Sequence, residues 1–520
     1  PSPEGANIRY SSVGFNDNFF HYKMNLQGDV QWQIVSDRGN VELHYSPFTP
    51  TADGGVFAVL NVSVSGKGEF EDDRLLRLVR KKGSEAVTKK DLKWTGYETN
   101  TIQGAAAKID ADGNIEWIRH IIRVDDGKIN GNAATTGTYF DALVADRDGN
   151  YWLSGRYLKP LTFDLPDGST RTLTPHNVEG WNGDANYQRG DMLLVKLNPQ
   201  GELLWHLETG GTVLYESINS LCYHDGALYL YGNLAATPGD PNSHTSLFGQ
   251  RLYPTEKTNA FSARLDVSSS EPALQWLTLL QSLPQTNGAG GRIKVTRLRY
   301  ENGALFLCGS VTGFVEVNGA TVLSNDLTTG SDATALRAFV IRQDPKTGSI
   351  ATALLDPAIG LAAETATVAF RQNRLYVFGY SSGVSWLHVY DEQFEPVASH
   401  NLFAASGATA WDALFLDDRF ITVNRGRNVL AVNGYITGAP QALVRDDPPA
   451  FAAYFLAYRL DGLQHTGIET LPATGKNIVK IVTITGQIVY TGTVNGEKEI
   501  TLPKGIYIIS VNGKTRKIIQ

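Results

Sequence analysis

Leu194–Glu208 reads LVKLNPQGELLWHLE. Apolar and polar residues alternate on both sides of a break at Asn198–Gly201, which is typical of two antiparallel strands joined by a tight turn. Three further stretches repeat this plan: His21–Val35 with Trp32, Ala107–His120 with Trp117, and Ser262–Leu277 with Trp276. Trp205 occupies the same point in the first stretch. The recurrence predicts an array of small antiparallel sheets with tryptophans at equivalent positions.

A second kind of hairpin alternates with the first along the chain. Its members are Phe140–Arg156, Ile218–Asn233, Thr296–Ser310 and Thr367–Tyr380, with weaker versions at His44–Leu60 and Ala410–Asn424. Two hairpins supply four antiparallel strands per unit, which predicts an all-β fold, a β-propeller in which each sheet covers its neighbour. Six complete units and the extra hairpin His21–Val35 are present. Seven blades are predicted if that hairpin joins C-terminal strands, and six if it is used elsewhere.

The composition is that of a folded, acidic chain. Hydrophobic residues make up 42% of the 520 residues, charged residues make up 19%, and the formal net charge is -7. Residues 476–520 carry seven Lys or Arg and two Glu, a segment charge of +5 that leaves -12 on the rest. An acidic body argues against a nucleic-acid partner. No apolar run approaches the roughly 18 residues that span a bilayer, so no membrane span is predicted.

The repeat units resemble the bacterial seven-bladed propeller repeat and the quinoprotein-type propellers. The stretches Gly155–Phe163, Gly232–Leu252 and Gly309–Leu323 match the first part of that repeat, and Ala106–Trp117 matches its second part. In quinoprotein-type propellers the tryptophan docks one blade onto the next, so the resemblance implies the same packing here. It implies a fold and no activity, because propellers host unrelated functions.

The C-terminal segment predicts a small, separate β-sandwich. From Ile478 it reads IVKIVTITGQIVYTGTVNGEKEITLPKGIYIISVNGKTRKIIQ, which is four or five short strands with Gly-containing turns. It closely resembles the C-terminal sorting domain of type IX (Por) secretion cargo in Bacteroidetes. The matching residues are Gly486, Leu502, Pro503, Gly505, Tyr507, Gly513 and Lys517. The family's opening Tyr-Pro-Asn-Pro strand is missing, and residues 462–475 stand in its place.

The predicted domains are therefore a propeller over residues 1–462, a linker over 463–475 and a sorting domain over 476–520. The resemblance implies that the type IX secretion machinery binds residues 476–520. It further implies an extracellular or outer-membrane-surface location after removal of a signal peptide, with which the start at Pro1 agrees. We expect a monomer, and two free thiols at Cys222 and Cys308 rather than a chance disulfide between repeats.

Few residue patterns indicate chemistry. Asp110–Asn114 and Asp146–Asn150 begin like calcium loops, but the twelfth positions are Ile121 and Tyr157, so hairpin turns are favoured over metal sites. Gly379–Gly383 matches a nucleophile elbow by letters, but a strand follows it where an elbow requires a helix. We predict no catalytic residue, no metal ion and no cofactor from these motifs.

The long connection at residues 166–190 is the predicted ligand loop, with His176, Trp181, Asp184, Tyr187 and Arg189 as candidate binding residues. Trp94–Tyr97 is a second candidate stretch. The predicted function is a non-catalytic binding or adhesion module for a glycan or a host protein. The alternative is an extracellular lyase or glycosidase, which would require two carboxylates, or His with Arg and Tyr, to cluster at the channel mouth.

Overall fold

The protein is described by a computed structural model. The described residues are 20–24, 30–38, 40–41, 48–64, 75–82, 85–94, 101–125, 138–176, 190–286, 288, 290–325, 335–360, 363–416, 419–432, 452–459, 476–483, 488–495, 506–511 and 514–519. They form 37 β-strands and, within these ranges, no helix. The chain divides into two compact units, Pro1–Thr365 and Ala366–Gln520.

The strands of the first unit are numbered in chain order. They are β1 (Phe20–Met24), β2 (Val30–Arg38), β3 (Asn40–Val41), β4 (Phe48–Pro50), β5 (Val56–Val64), β6 (Leu75–Lys82), β7 (Glu85–Lys93), β8 (Thr101–Ile109), β9 (Ile115–Val124), β10 (Tyr139–Ala145), β11 (Tyr151–Tyr157), β12 (Leu161–Asp164), β13 (Thr170–Leu173), β14 (Asp191–Leu197), β15 (Leu203–His206), β16 (Gly210–Gly211), β17 (Tyr215–His224), β18 (Ala227–Ala235), β19 (Thr245–Leu247), β20 (Gln250–Leu252), β21 (Asn259–Asp266), β22 (Ala273–Leu283), β23 (Arg292–Glu301), β24 (Ala304–Val317), β25 (Ala320–Asn325), β26 (Leu336–Gln343) and β27 (Ile350–Gly360).

Four-stranded antiparallel sheets are the repeating element of the first unit. Two are separate sheets, with the orders β1-β2-β6-β7 and β10-β11-β14-β15. The set β4-β5-β8-β9 is part of a seven-stranded sheet that also contains β3, β12 and β13, and the sets β17-β18-β21-β22 and β23-β24-β26-β27 are joined, with β25, in a nine-stranded sheet. β16, β19 and β20 form a small sheet of their own. Each sheet is built mainly from consecutive strands, because short turns favour antiparallel pairing of neighbours. The prediction of an all-β fold built from repeated propeller-type sheets is confirmed, and the closure of these sheets into a ring and the number of blades stay predictions.

The β1–β2 hairpin has the same pairing as the later tryptophan-containing hairpins. β2 pairs with β1 on one side and with β6 on the other, just as β9 pairs with β8 on one side and with β12 on the other. Trp32 in β2 therefore corresponds to Trp117 in β9, and Trp205 and Trp276 likewise lie in the second strands of their hairpins, β15 and β22. The predicted equivalence of the four tryptophans is confirmed, and the pairing of this hairpin with C-terminal strands stays a prediction.

Two tryptophans join neighbouring sheets. The Trp276 indole Nε1 donates to the Pro345 carbonyl at 3.1 Å, and its ring lies against Gly348 in the turn of the following sheet. Trp32 Nε1 donates to the Ala111 carbonyl at 3.3 Å, and its ring lies against Gly113 in the same way. The predicted role of these indoles as contacts between sheets is confirmed.

The hydrophobic core lies between the sheets, as the stacking predicts. Between the second and third sheets, for example, the Phe57 and Tyr151 rings stack with centroids 3.9 Å apart among buried aliphatic residues. Asn61 is fully buried there and pairs with the backbone of Phe140 on the next sheet, through Nδ2 to the carbonyl at 2.9 Å and the amide to Oδ1 at 2.8 Å. Asn233 makes the corresponding bonds to Ile293 and Val295 between the fourth and fifth sheets.

The connections between second and third strands extend the preceding sheet. The β12–β13 hairpin leaves the third sheet and pairs with β9, with Leu161 opposite Val124. The end of β24 pairs in the same way with β22, with Glu316 opposite Gln281. Both connections belong to the stretches Gly155–Phe163 and Gly309–Leu323, which match the first part of the propeller repeat. Their hairpins make adjacent sheets share one hydrogen-bonded ladder.

The Asp-rich motifs form turns. Asp110 Oδ1 accepts the amides of Asp112 and Asn114 at 2.9 and 2.7 Å, and Asp146 Oδ1 accepts those of Asp148 and Asn150 at 3.0 and 2.9 Å. Each carboxylate is thereby occupied by the backbone of its own turn. The predicted turns are confirmed at both places.

The second unit contains two sheets. Its strands are β28 (Glu364–Arg371, which begins at the boundary), β29 (Arg374–Ser381), β30 (Val384–Tyr390), β31 (Pro396–Leu416), β32 (Arg419–Val432), β33 (Ala452–Arg459), β34 (Lys476–Thr483), β35 (Ile488–Asn495), β36 (Ile506–Val511) and β37 (Lys514–Ile519). The order is β28-β29-β30-β31-β32-β33 in one sheet and β35-β34-β36-β37 in the other. The described residues of the C-terminal segment thus form one sheet, and its predicted second layer stays a prediction.

Two smaller predictions also fall within the described residues. Ser382 and Gly383 are the two turn residues between β29 and β30, both with positive φ, so the elbow-like motif is a hairpin turn as predicted. Cys222 and Cys308 are both free thiols, as predicted.

Candidate functional site

Of the five candidate binding residues in the predicted ligand loop, His176 is the one that lies within the described residues. It follows β13, and its backbone amide donates to Asp191 Oδ2 at 2.6 Å while its ring Nδ1 lies 3.3 Å from the same oxygen. The imidazole is 65% exposed, whereas the Asp191 side chain is 1% exposed. Its position is therefore fixed by a buried carboxylate. Trp181, Asp184, Tyr187 and Arg189 lie outside the described residues, so the remainder of the loop stays a prediction.

Asp191 belongs to a buried pair of carboxyl groups. Glu216, at the start of β17 on the next sheet, is 1% exposed and accepts the Met192 amide at 3.2 Å. Burial and then the negative charge of Asp191 raise the pKa of Glu216 to about 8. Burial, followed by these two carboxylates, also raises the pKa of the Tyr157 hydroxyl. Glu216 is thus a protonated acid at neutral pH.

A second buried acid, Asp141, lies on the first strand of the third sheet. The register of β10 shifts between Phe140 and Ala142, so Asp141 is the extra residue of a β-bulge. Asn219 is the bulge residue of β17 and Thr296 that of β23, at the corresponding point of the next two sheets. The bulges turn these side chains toward the neighbouring sheet: Asn219 Nδ2 donates to Asp141 Oδ2 at 3.2 Å.

A chain of hydrogen bonds connects Asp141 to a partly exposed phenol. Tyr215 and Ser217 share a bond at 2.9 Å, and Ser217 Oγ donates to Asn219 Oδ1 at 2.9 Å. The Arg156 guanidinium lies over the Tyr139 ring at 4.8 Å and over the Tyr215 ring at 5.1 Å. These contacts place an acid, a guanidinium and two phenols in one cluster, here named the bulge cluster.

The bulge cluster has the groups of an acid–base site. Burial raises the pKa of Asp141 to about 7, while the Arg156 charge and the Asn219 bond oppose that rise. Asp141 Oδ1 is buried without a hydrogen-bond partner. However, Asp141 is only 9% exposed and Arg156 only 7%, so packed sheets surround both charged groups. Such an acid can exchange a proton, but a polymeric substrate would need the surrounding side chains to move.

An open surface depression lies elsewhere in the first unit. It has a volume of about 340 Å³ and is lined by Ala236, Gly239, Asp240, Pro241, Pro254, Thr255 and Glu256. The Ala236 amide donates to the Thr255 carbonyl at 2.9 Å, and the Gly239 amide donates to Glu256 Oε1 at 2.8 Å. These bonds hold its two walls together.

Two aromatic residues lie close to the lining residues along the chain. Tyr253, which directly precedes the lining residue Pro254, is 50% exposed. The His244 ring lies beside it with centroids 5.7 Å apart. Exposed rings next to carboxylates and backbone polar groups suit a sugar or a peptide. We name Tyr253, His244 and the lining residues the aromatic depression.

The sequence patterns did not identify either place. The β19–β20 hairpin brings residues 236–241 and 254–256 together, and no motif marks them. Asp141 lacks a motif as well. The prediction that Trp94–Tyr97 contacts a ligand was wrong at Trp94, because this side chain is 2% exposed and packs in the core.

Within the described ranges, no three His, Cys, Asp or Glu side chains are grouped as a metal ion would require. The same ranges contain no helix long and apolar enough to cross a bilayer. Of the predicted sorting residues, Tyr507 lies in β36 and Lys517 in β37, where it pairs with Ile508. Gly486, Leu502, Pro503, Gly505 and Gly513 lie outside the described residues.

Neither a protein-family model nor a curated protein sequence matches the chain. It is similar to solved structures at low identity. BamB from Moraxella catarrhalis is 12% identical with a TM-score of 0.31, over 75% of this chain and 96% of that one. The polysaccharide lyase Uly1 is 10% identical with a TM-score of 0.35, over 85% and 88%. The β-propeller domain of the Trilobed protease from Pyrococcus furiosus is 8% identical with a TM-score of 0.30, over 78% and 99%.

Proposed function

We propose that this chain is a non-catalytic binding module that recognises a glycan or a protein through the aromatic depression. The observations that carry the proposal are an open concavity and the half-exposed ring of Tyr253, the residue that directly precedes the lining residue Pro254. Its volume is at the small end of the range for ligand sites. The perturbed acids Glu216 and Asp141, by contrast, are enclosed by packed sheets. Hydrogen-bonded sheets that support exposed loops are suited to ligand binding, and ligand binding requires no catalytic residues.

The test is a glycan and protein array probed with the full-length chain. The best ligand is then titrated against Tyr253→Ala and against Leu204→Ala, a matched exposed apolar residue on the outer strand β15 of another sheet. We expect Tyr253→Ala to weaken binding at least about tenfold, since one buried aromatic contact contributes on the order of 1–3 kcal/mol, and Leu204→Ala to change it little. An array without ligands, or equal affinity of the two variants, would contradict the proposal.

The second candidate function is an extracellular carbohydrate-active enzyme, a lyase or a glycosidase. The bulge cluster favours it, because Asp141 has a pKa of about 7 next to Arg156 and two tyrosines. The same array experiment separates the two functions. Every glycan that binds is assayed for release of reducing ends or unsaturated uronates. Steady turnover that is lost in Asp141→Asn would replace the binding proposal with the enzymatic one.

We also propose that residues 476–520 direct the chain through the type IX secretion machinery to the outside or to the outer-membrane surface. The support is the resemblance at Leu502–Tyr507, Gly513 and Lys517, together with a segment charge of +5 in a chain of -7. Strands β34–β37 form a sheet whose edge strand β37 carries Lys514, Arg516 and Lys517. A basic edge of this kind is a suitable surface for a receptor.

Removing residues 476–520 should block export while the first unit still folds. In the native host we expect the truncated chain to accumulate in the periplasm, whereas the full-length chain is labelled by a membrane-impermeant reagent on intact cells. Circular dichroism of the purified truncated protein provides the folding control. Surface labelling of the truncated chain at the full-length level would overturn the sorting proposal.

A further inference from the structure

The β6–β7 hairpin is the most basic part of the first unit. Residues 75–93 carry seven Lys or Arg and two acidic residues, so this hairpin has a charge of +5 and the rest of the chain carries -12. Strand β7 is the last strand of the sheet β1-β2-β6-β7, and every one of its residues except Leu92 is exposed. A concentrated positive charge thus lies on a sheet edge of an acidic protein.

Three lysines of β7 are available for a ligand. Lys89, Lys90 and Lys93 are exposed, and no carboxylate of the described residues lies within salt-bridge distance of them. The single acid between them, Asp91, is held by Arg77 through two bonds of 2.7 and 2.8 Å. The Arg77 bond, more than any other contact, lowers the pKa of Asp91. The hydrogen bonds of Asp91 are thus taken by Arg77, and Lys89 and Lys93 act on Asp91 only as nearby charges.

The strand also has a fixed geometry. The His120 ring Nε2 donates to the Lys93 carbonyl at 3.0 Å, and the ring meets the buried Trp94 edge to face with centroids 4.7 Å apart. Antiparallel pairing with β6 runs from Leu75 opposite Lys93 to Lys82 opposite Glu85. At about 3.3 Å per residue, Lys89 and Lys93 are roughly 13 Å apart on one face, and Lys90 points to the other.

We propose that strand β7 is a binding site for a linear anionic polysaccharide that carries carboxylate or sulfate groups. Spaced ammonium groups on flexible stems suit regularly spaced, hydrated anions along a polymer. Lysines on both faces of an edge strand disfavour addition of a peptide strand, which makes an acidic peptide the less suitable partner. This site is separate from the aromatic depression and does not depend on it.

The test measures binding of the full-length chain to immobilised heparin, polygalacturonate, polyglutamate and neutral dextran. The variant is Lys89→Glu, Lys90→Glu, Lys93→Glu. The control is Arg147→Glu, Arg171→Glu, Lys346→Glu, which makes the same change in net charge at three exposed positions in other sheets. Circular dichroism verifies that both variants are folded.

We expect the wild-type chain to bind heparin or polygalacturonate and to lose this binding as NaCl rises from about 50 to about 500 mM, because salt screens exposed charges. The β7 variant should bind at least about tenfold more weakly, and the control should stay within about twofold of wild type. Binding to heparin alone identifies sulfate as the recognised group, and binding to both identifies the shared negative charge. Equal loss in both variants, no loss in the β7 variant, or equal binding to polyglutamate or dextran would overturn the proposal.

Discussion

Trp276→Ala will lower the free energy of unfolding by about 3–5 kcal/mol, the usual cost of truncating a large buried aromatic residue. Trp276 is 9% exposed, and its indole contacts both the Tyr229 ring of its own sheet and the turn of the next sheet. The substitution removes the bond to the Pro345 carbonyl and leaves a cavity between two sheets. Urea unfolding followed by circular dichroism measures the change.

Gly348→Ala tests the same joint from the opposite side. Gly348 has φ of +73, and an added Cβ would come within 2.6 Å of the Trp276 ring. We therefore expect a loss of stability here too, whereas Gly303→Ala, with a similar φ and open space around it, will show only the cost of the backbone conformation.

Tyr253→Ala, at an exposed aromatic residue, should change stability by less than about 1 kcal/mol. Unchanged unfolding of Trp276→Ala would contradict the role of this indole as a contact between sheets.

Glu216→Gln will stabilise the protein at alkaline pH. The pKa of Glu216 is about 8 in the folded chain against an ordinary value of 4.5, so the folded state holds the proton more tightly than the unfolded state does. The stabilisation from that proton is complete below pH 4.5 and is lost as the pH rises through about 8. Glutamine keeps the acceptor for the Met192 amide and cannot ionise. At pH 9 the variant should exceed wild type by on the order of 3–5 kcal/mol, and at pH 4.5 the two should agree.

Unfolding midpoints in urea across this pH range measure the effect. Glu271→Gln is the control because Glu271 is an exposed residue in the turn before β22. Asp141, with a pKa raised to about 7, will leave part of the pH dependence in the Glu216 variant. If wild type is as stable at pH 9 as at pH 4.5, the Glu216 carboxyl is not held protonated in the folded chain.

The sheets could be predicted from the sequence because their signal is local. Alternation around Asn198–Gly201 and the tryptophan that follows it are fixed by a few neighbouring residues, and the structure has the corresponding hairpin at β14–β15. The Asp-led turns were predictable for the same reason. The partner of β2 was not, because the residues that make a hairpin do not specify which strand pairs with its outer edge.

The candidate sites could not be predicted because they depend on contacts between distant residues. Asp141 is buried by the bulge in β10 and by Asn219 on the next sheet. The aromatic depression needs the β19–β20 hairpin to fold back on residues 236–241. The basic residues of 75–93 stand in the printed sequence, but their place on an exposed edge strand required the register of β6 with β7.

The ladder shared by β22 and β24 affects how the first unit can open. Because Gln281 and Glu316 are paired across two sheets, one sheet cannot peel from the unit without breaking hydrogen bonds that belong to the next. Fraying at one position is therefore coupled to its neighbour, and partial opening becomes rarer than it would be for sheets that only touch. A protease that cleaves transiently opened backbone would find few entry points along such a chain.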